Sequence, residues 1–182
     1  QQDPHTASLW LSPERLEIEA LTALADGDCT VVALNRRVEH PGVYWACSDH
    51  EGAGVQVGTH LLDLGHRRVL YLCPAHERSL FLPRDVGLRR ALARPGVEYR
   101  SAFLKPAAGG LERLLFSTFA AAAGPLALLI HNGALLPALC ACLEKLGRLF
   151  PDDVSLVSFG SDSETERLAV TSVRQQAQVL GR

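Results

Sequence analysis

Residues 126–131 read LALLIH, an unbroken apolar run that ends in a histidine and is followed by Asn132 and Gly133. A run of this length without alternating polar residues is typical of a strand that is buried on both faces of a parallel sheet. An amphipathic stretch at 135–146 and a second apolar run at 154–159 follow it. This succession of strand, helix and strand predicts an α/β fold with a parallel sheet.

The same alternation extends towards both termini. Pro74 interrupts one strand and precedes a loop of mixed character, so we predict a lobe boundary there. The predicted strands are 8–11, 30–35, 44–48, 69–73, 98–104, 126–131, 154–159 and 170–173, and the predicted helices are 13–26, 53–64, 84–94, 111–122 and 135–146.

Composition narrows the class of protein. Hydrophobic residues make up 47% of the 182 residues and charged residues 21%, which is ordinary for a globular protein. The net charge of -2 offers no basic field for a nucleic-acid backbone, which argues against DNA binding by this segment alone. The odd number of cysteines, five, set among apolar residues, favours buried thiols in a reducing cytoplasm over a disulfide framework.

Motifs for other functions are missing from the sequence. We find no Gly-x-Ser-x-Gly, no glycine-rich phosphate loop and no histidine–glutamate metal spacing, and the seven histidines are scattered singly. The first residues lack the basic start and apolar run of a signal peptide, and no apolar stretch is long enough to span a bilayer. We therefore expect neither an enzyme nor a cofactor, a metal site or a membrane protein.

Four blocks resemble the lactose/galactose repressor (LacI/GalR) family, in the family's order and over nearly the whole chain. The Tyr-Leu-Cys ending of the second block and nearby His76 resemble the galactose branch in particular. The blocks are VVALNRR (31–37), HLLDLGHRRVLYLC (60–73) after Asp49, RDVGL (84–88), and a fourth in three parts, LALLIHN (126–132), LEKLGRLFPDDVSLVSFG (143–160) and VTSVRQ (170–175).

The resemblance implies two flavodoxin-like, periplasmic-binding-protein-like lobes with parallel sheets, an effector between them and a helix-turn-helix head before them. Against that template we expect a chain truncated at both ends, with the N-terminal lobe incomplete. Residues 1–74 would form that partial lobe, 75–173 the C-terminal lobe, and 174–182 the start of a segment that returns to the first lobe.

The same resemblance implies partners. We expect a homodimer formed along both lobes, with helices such as 53–64 at the interface. The effector would be a small molecule, a galactose-like sugar or a sugar phosphate. Operator DNA would be bound only through the head, which is absent from this sequence.

Two arginines are effector candidates by this resemblance. Arg84 matches the family arginine that contacts effector from a helix start, although a surface salt bridge with Asp85 is the alternative. Arg78 matches an effector arginine of the purine branch, and an ordinary surface position explains it equally well. A guanidinium offers several fixed donors, which suits sugar hydroxyls.

Two strand-end residues are also candidates. Asn132 matches the family's effector amide, and its alternative role is to turn the chain before Gly133. Asp49 ends a strand and could instead cap the helix that follows. Ligands of open α/β sheets bind outside the carboxyl ends of the strands, where both residues are predicted to lie.

Two expected carboxylates are glycines here, at Gly133 and Gly160. Each lost carboxylate removes a charge-assisted hydrogen bond worth about 1.5–3 kcal/mol. Ser161 or Asp162 could take over part of this role. The main hypothesis is therefore an effector-binding and dimerisation core of a transcriptional regulator. The alternatives are a solute-binding protein of the same fold, or a dimerising scaffold whose pocket is vestigial.

Overall fold

The computed structural model describes residues 7–11, 13, 15–27, 29–75, 78–105, 109–121 and 124–174. These residues fall into two compact units that divide between Asp49 and His50. Among the described residues, no helix combines the length and apolar character needed to cross a membrane.

The first unit is a small parallel sheet with one helix. Its elements are β1 (Ala7–Leu11), α1 (Arg15–Asp26), β2 (Thr30–Leu34) and β3 (Val43–Ala46). The strands lie in the order β1-β2-β3, all parallel.

Only one face of this sheet is covered within the described part of the unit. Leu21 of α1 packs there against Val31 and Ala33 of β2. The side chains that alternate with these are far more open to solvent. The most exposed of them are Leu9 (63%), Leu11 (73%) and Tyr44 (68%).

The second unit has a larger sheet with helices on both sides. Its five strands are parallel and lie in the flavodoxin-like order β5-β4-β6-β7-β8. The strand order reverses between β4 and β6, because β5 lies on one side of β4 and the later strands lie on the other. Its elements are α2 (His50–Asp63), β4 (Arg68–Pro74), α3 (Arg78–Leu92), β5 (Glu98–Leu104), α4 (Gly110–Ala121), β6 (Leu126–Ile130), a single 3₁₀ turn (Gly133–Leu135), α5 (Leu136–Lys145), β7 (Val154–Phe159), α6 (Ser163–Arg167) and β8 (Thr171–Val173). The α/β class with parallel sheets is thereby confirmed.

The apolar run at 126–130 forms β6 and is buried at every position, as predicted. Ala127 and Leu129 pack into a core with side chains of α2 and α3. Leu126, Leu128 and Ile130 face the opposite core, which α4 and α5 cover. A strand whose two faces are both covered needs apolar residues at every position.

Helices α2 and α3 touch backbone to backbone. A Cβ atom at Gly54 would overlap the carbonyl oxygen of Arg84, and one at Gly87 would overlap the carbonyl oxygen of Glu51. Only glycine permits so close an approach. The contact therefore sets where the Arg84 turn of α3 lies relative to α2.

The structure differs from the sequence-based prediction in the position of the division. We expected a boundary near Pro74, whereas β4, which ends there, pairs with β5 and β6 and so belongs to the second sheet. The strand pairing that decides this joins segments far apart in sequence. The predicted return segment at 174–182 lies outside the described residues from Gln175 onwards.

Two helices also differ from the prediction. Helix α3 begins at Arg78 rather than at Arg84, and Pro83 lies inside it. The start expected at Arg84 rests on the resemblance of residues 84–88 to a helix start of the LacI/GalR family. Helix α6 was not predicted, since its five residues are too short to show a helical apolar period.

Candidate functional site

The carboxyl ends of β4, β6 and β7 meet at one edge of the five-stranded sheet. His131 and Asn132 follow β6, and Gly160 to Asp162 follow β7. Ligands of open α/β sheets bind outside this edge, at the point where the strand order reverses. In this sheet that point lies between β4 and β6.

Arg84 lies at this edge and is only 2% exposed. Its Nη1 is 3.1 Å from Nδ1 and 3.3 Å from Nε2 of His131. Its guanidinium carbon lies 4.9 Å from the ring centre of Phe159, which is the geometry of a cation–π contact. Nε of Arg84 is buried and has no hydrogen-bond partner among the described residues. Arg84 is thus a buried group, and the alternative of a surface salt bridge with Asp85 does not describe it.

His131 contacts both Arg84 of α3 and Tyr71 of β4. The hydroxyl of Tyr71 lies 3.1 Å from Nδ1 of His131, and the Tyr71 ring stacks on Phe81 with centroids 4.7 Å apart. Because a guanidinium only donates, a ring nitrogen of His131 accepts from Arg84. Burial raises the pKa of Tyr71 above its ordinary range, against the opposing effect of Arg84, so the hydroxyl stays protonated.

Asp85 takes part in a second hydrogen-bond network, between α3 and β5. Its carboxylate accepts from the Tyr99 hydroxyl at 2.6 Å and from Nε of Arg89 at 2.8 Å. Arg89 also donates to Ser101 at 3.1 Å. Burial and the hydrogen bond to Asp85 raise the pKa of Tyr99. The network ties α3 to β5 and explains why Asp85 does not pair with Arg84.

Asp162 and Gly133 are packed against each other. The Asp162 carboxylate accepts from the backbone N–H of Thr165 at 2.9 Å and so caps α6. A Cβ atom at position 133 would overlap this carboxylate. The glycine at 133 therefore makes room for Asp162. Ser161 donates to Glu166 at 3.1 Å.

The other candidates lie at element boundaries. Asn132 is half-buried where β6 passes into the 3₁₀ turn, and its side chain makes no capping hydrogen bond to that turn. Arg78 is the first residue of α3. Asp49 is exposed, immediately before α2, and belongs to the first unit. The structure therefore groups Arg84 with the β6 end, and Asp162 with Gly133.

Comparison with known proteins identifies the family. Residues 59–182 match the family of periplasmic binding protein-like domains. The chain belongs to this family. No curated protein sequence matches it.

The periplasmic-binding-protein-like fold is shared with solved structures of LacI-type regulators. A LacI transcriptional regulator from a Rhodococcus species superposes with a TM-score of 0.79 at 21% identity, covering 96% of this chain and 65% of that one. A LacI family regulator from Enterococcus faecium with bound ribose gives 0.71 at 20%, covering 90% and 62%. A probable maltose operon repressor from Staphylococcus aureus gives 0.73 at 11%, covering 100% and 88%. The chain thus spans less than two thirds of the length of the first two.

Sequence reasoning missed two members of the edge cluster in this periplasmic-binding-protein-like chain. His131 and Tyr71 contact each other and the Arg84 side chain lies against His131, yet neither was proposed as a site residue. The available signal was a histidine ending an otherwise apolar strand. Among the described residues, no group of three or more His, Cys, Asp or Glu side chains is placed to hold a metal ion.

Proposed function

We propose that this chain is the effector-binding part of a LacI/GalR-type transcriptional regulator and that its effector is a sugar-type small molecule. The observation that carries the proposal is the buried Arg84 guanidinium at the strand-order reversal, where sheets of this kind bind ligands. The family match and the regulators of the same fold, one of them solved with ribose, support it.

The ligand would be held by donors and acceptors at the carboxyl edge. Arg84 and Asn132 would make the main contacts. Ser161, Asp162, Arg78 and Asp49 would be secondary contacts. We propose a galactose-like sugar or sugar phosphate as ligand. The role is binding rather than catalysis, in the cytoplasm, where operator DNA is found.

Calorimetric titration with monosaccharides tests this function. We expect D-galactose or a close relative to bind, and Arg84→Ala to weaken binding by about 1.5–3 kcal/mol, the range for a hydrogen bond to a charged group. Arg90→Ala is the matched control, because Arg90 is an exposed arginine of the same helix. Absence of binding by any monosaccharide at millimolar concentration would contradict the proposal.

Self-association is part of the proposed function. The exposed apolar side chains Leu9, Leu11 and Tyr44 on one face of the first sheet support it, because apolar surface of this kind favours burial in a partner. We expect a concentration-dependent dimer in sedimentation experiments. A monomer mass that stays constant well above micromolar protein would count against it.

DNA binding would need a segment other than the described elements. The net charge of -2 supports this, since a recognition helix requires a basic surface. We expect residues 1–182 to show no sequence preference for DNA in gel-shift assays. Specific binding that resists salt would overturn this part of the proposal.

The scaffold alternative has its own supporting observation. Gly133 and Gly160 lack side chains that could accept from a sugar, and His131 covers Arg84. If the titration shows no ligand while the dimer forms, a dimerising scaffold with a vestigial pocket describes the chain better. A solute-binding protein of the same fold would instead bind sugar and show no link to operator DNA.

A further inference from the structure

We infer that the ligand of this edge carries negative charge: a sugar bearing a phosphate or a carboxylate rather than a neutral sugar. The inference rests on the proposed function and deepens it. It follows from the charges around Arg84, which are unbalanced among the described residues.

The guanidinium of Arg84 is buried without an anionic partner. Its contacts are the imidazole and the carbonyl of His131, the ring of Phe159 and the hydroxyl of Tyr71, none of which carries a negative charge while Tyr71 is protonated. No carboxylate of a described residue forms an ion pair with it, and its Nε has no hydrogen-bond partner there. A buried charge normally requires a paired opposite charge, because desolvation costs several kcal/mol per ion.

Two acids of the same region, Asp85 and Asp162, are bound to other groups. Asp85 follows Arg84 in the chain, but it is held by Tyr99 and Arg89 on the side of β5. Asp162 caps α6 and packs against Gly133. Neither carboxylate forms an ion pair with Arg84.

Two positions of the same edge supply no carboxylate for a neutral sugar. Residue 133 carries no side chain, and any Cβ there would strike Asp162. Gly160 has a φ of +123°, which residues with a side chain rarely adopt, so the glycine matches the backbone conformation. Sugar hydroxyls donate readily to carboxylates, and these two positions supply none.

The ligand would reach Arg84 by replacing the His131 imidazole. That ring now occupies the donors of Nη1, and an oxyanion is the stronger acceptor, since charge-assisted hydrogen bonds are about twice as strong as neutral ones. Nη1, released by His131, would then donate to an oxygen of the phosphate or carboxylate.

Calorimetry on the whole chain with matched ligands tests the inference. The ligands are D-galactose, D-galactose 6-phosphate, D-galacturonate and inorganic phosphate, each at low and high salt. We expect at least one anionic sugar to bind about 10-fold or more tightly than galactose, and this preference to shrink as salt rises. Comparing the phosphate with the carboxylate ligand identifies which anionic group the site takes.

Variants connect the preference to Arg84. We expect Arg84→Gln to abolish it, Arg84→Lys to retain part of it, and the control Arg90→Gln to leave it unchanged. If Arg84→Gln does not fold, the loss of preference at high salt in the wild type and its partial retention in Arg84→Lys still decide the question.

The outcomes are distinct. If galactose binds as tightly as its anionic derivatives, the inference is wrong while the proposed function stands. If inorganic phosphate binds as tightly as the sugar phosphate and does so equally in Arg84→Gln, the preference is unspecific and the inference is wrong. If no sugar of either kind binds, the proposed function fails and this inference with it.

Discussion

The two sheets of this chain use their strands differently. In the second unit, β6 is buried at all five positions and lies between two layers of helices. In the first unit, β1 alternates between exposed and half-buried residues, and α1 covers only one face of its sheet. The apolar side chains of β1 are nevertheless comparable in size to those of β6.

This difference shows that burial of an apolar strand depends on how many helix layers cover its sheet. A sheet covered on one face buries every second residue, while a sheet covered on both faces buries them all. It also places the candidate site. Arg84 can be buried because it lies on α3, in one of the two helix layers that cover the second sheet, against the end of β6.

Truncating one leucine in each sheet tests this comparison, and it gives the largest expected change in the free energy of unfolding. Leu129→Ala, at a fully buried position of β6, should lower the free energy of unfolding by about 2–5 kcal/mol. Leu11→Ala, at an exposed position of β1, should change it by less than about 0.5 kcal/mol. Urea unfolding followed by circular dichroism measures both. Equal losses would show that the first sheet is covered as fully as the second.

The backbone contact between α2 and α3 gives the next effect. Gly54→Ala should destabilise the second unit by about 1–3 kcal/mol, because the added methyl group meets the carbonyl of Arg84. Gly110→Ala is the control, since open space surrounds Gly110 at the start of α4, and alanine there should be neutral or slightly stabilising. The same size of loss in both variants would mean that close packing is not the cause.

Removing one tyrosine hydroxyl from each unit should change the free energy of unfolding by less. Tyr99→Phe removes a donor to Asp85 and should cost about 1 kcal/mol, because Arg89 still pairs with that carboxylate. Tyr44→Phe, at an exposed position of β3, should cost almost nothing. Thermal unfolding of the two variants checks this, and a larger loss for Tyr44→Phe would contradict it.

The Tyr99 network also predicts a pH dependence. The pKa of Tyr99 is raised in the folded chain by burial and by Asp85, so folding favours the protonated hydroxyl. The unfolded chain releases that proton near its ordinary value of about 10. Stability should therefore fall as pH rises above about 10, and fall less in Tyr99→Phe. An equal decline in both proteins would remove Tyr99 as its source.

Substitutions on the uncovered face of the first sheet should change stability least. Replacing Leu9 and Leu11 by threonine should change the free energy of unfolding by less than about 0.5 kcal/mol, since both are exposed. The same double variant should weaken self-association in sedimentation, because it removes apolar surface. Unchanged association would mean that another surface forms the dimer.

Much of the fold follows from local pattern. The apolar runs at 126–131 and 154–159 predict β6 and β7 because residues that face two helix layers must all be apolar. Gly65, two residues after the end of α2, has a φ of +86°, a conformation that favours glycine where helices end. The candidate Arg84 came from a resemblance in sequence, not from periodicity.

The remaining features depend on contacts between distant segments. The division between Asp49 and His50 follows from the packing of α2 on α3 and from the pairing of β4 with β5 and β6. The partner of Arg84 is His131, 47 residues away, although Asp85 is its neighbour in sequence. Sequence by itself determined most of the helices and strands, though not α6 or the start of α3, because periodicity is a property of consecutive residues. Only the tertiary structure decided which charges lie together, because that depends on the packing of α3 against α2 and the sheet.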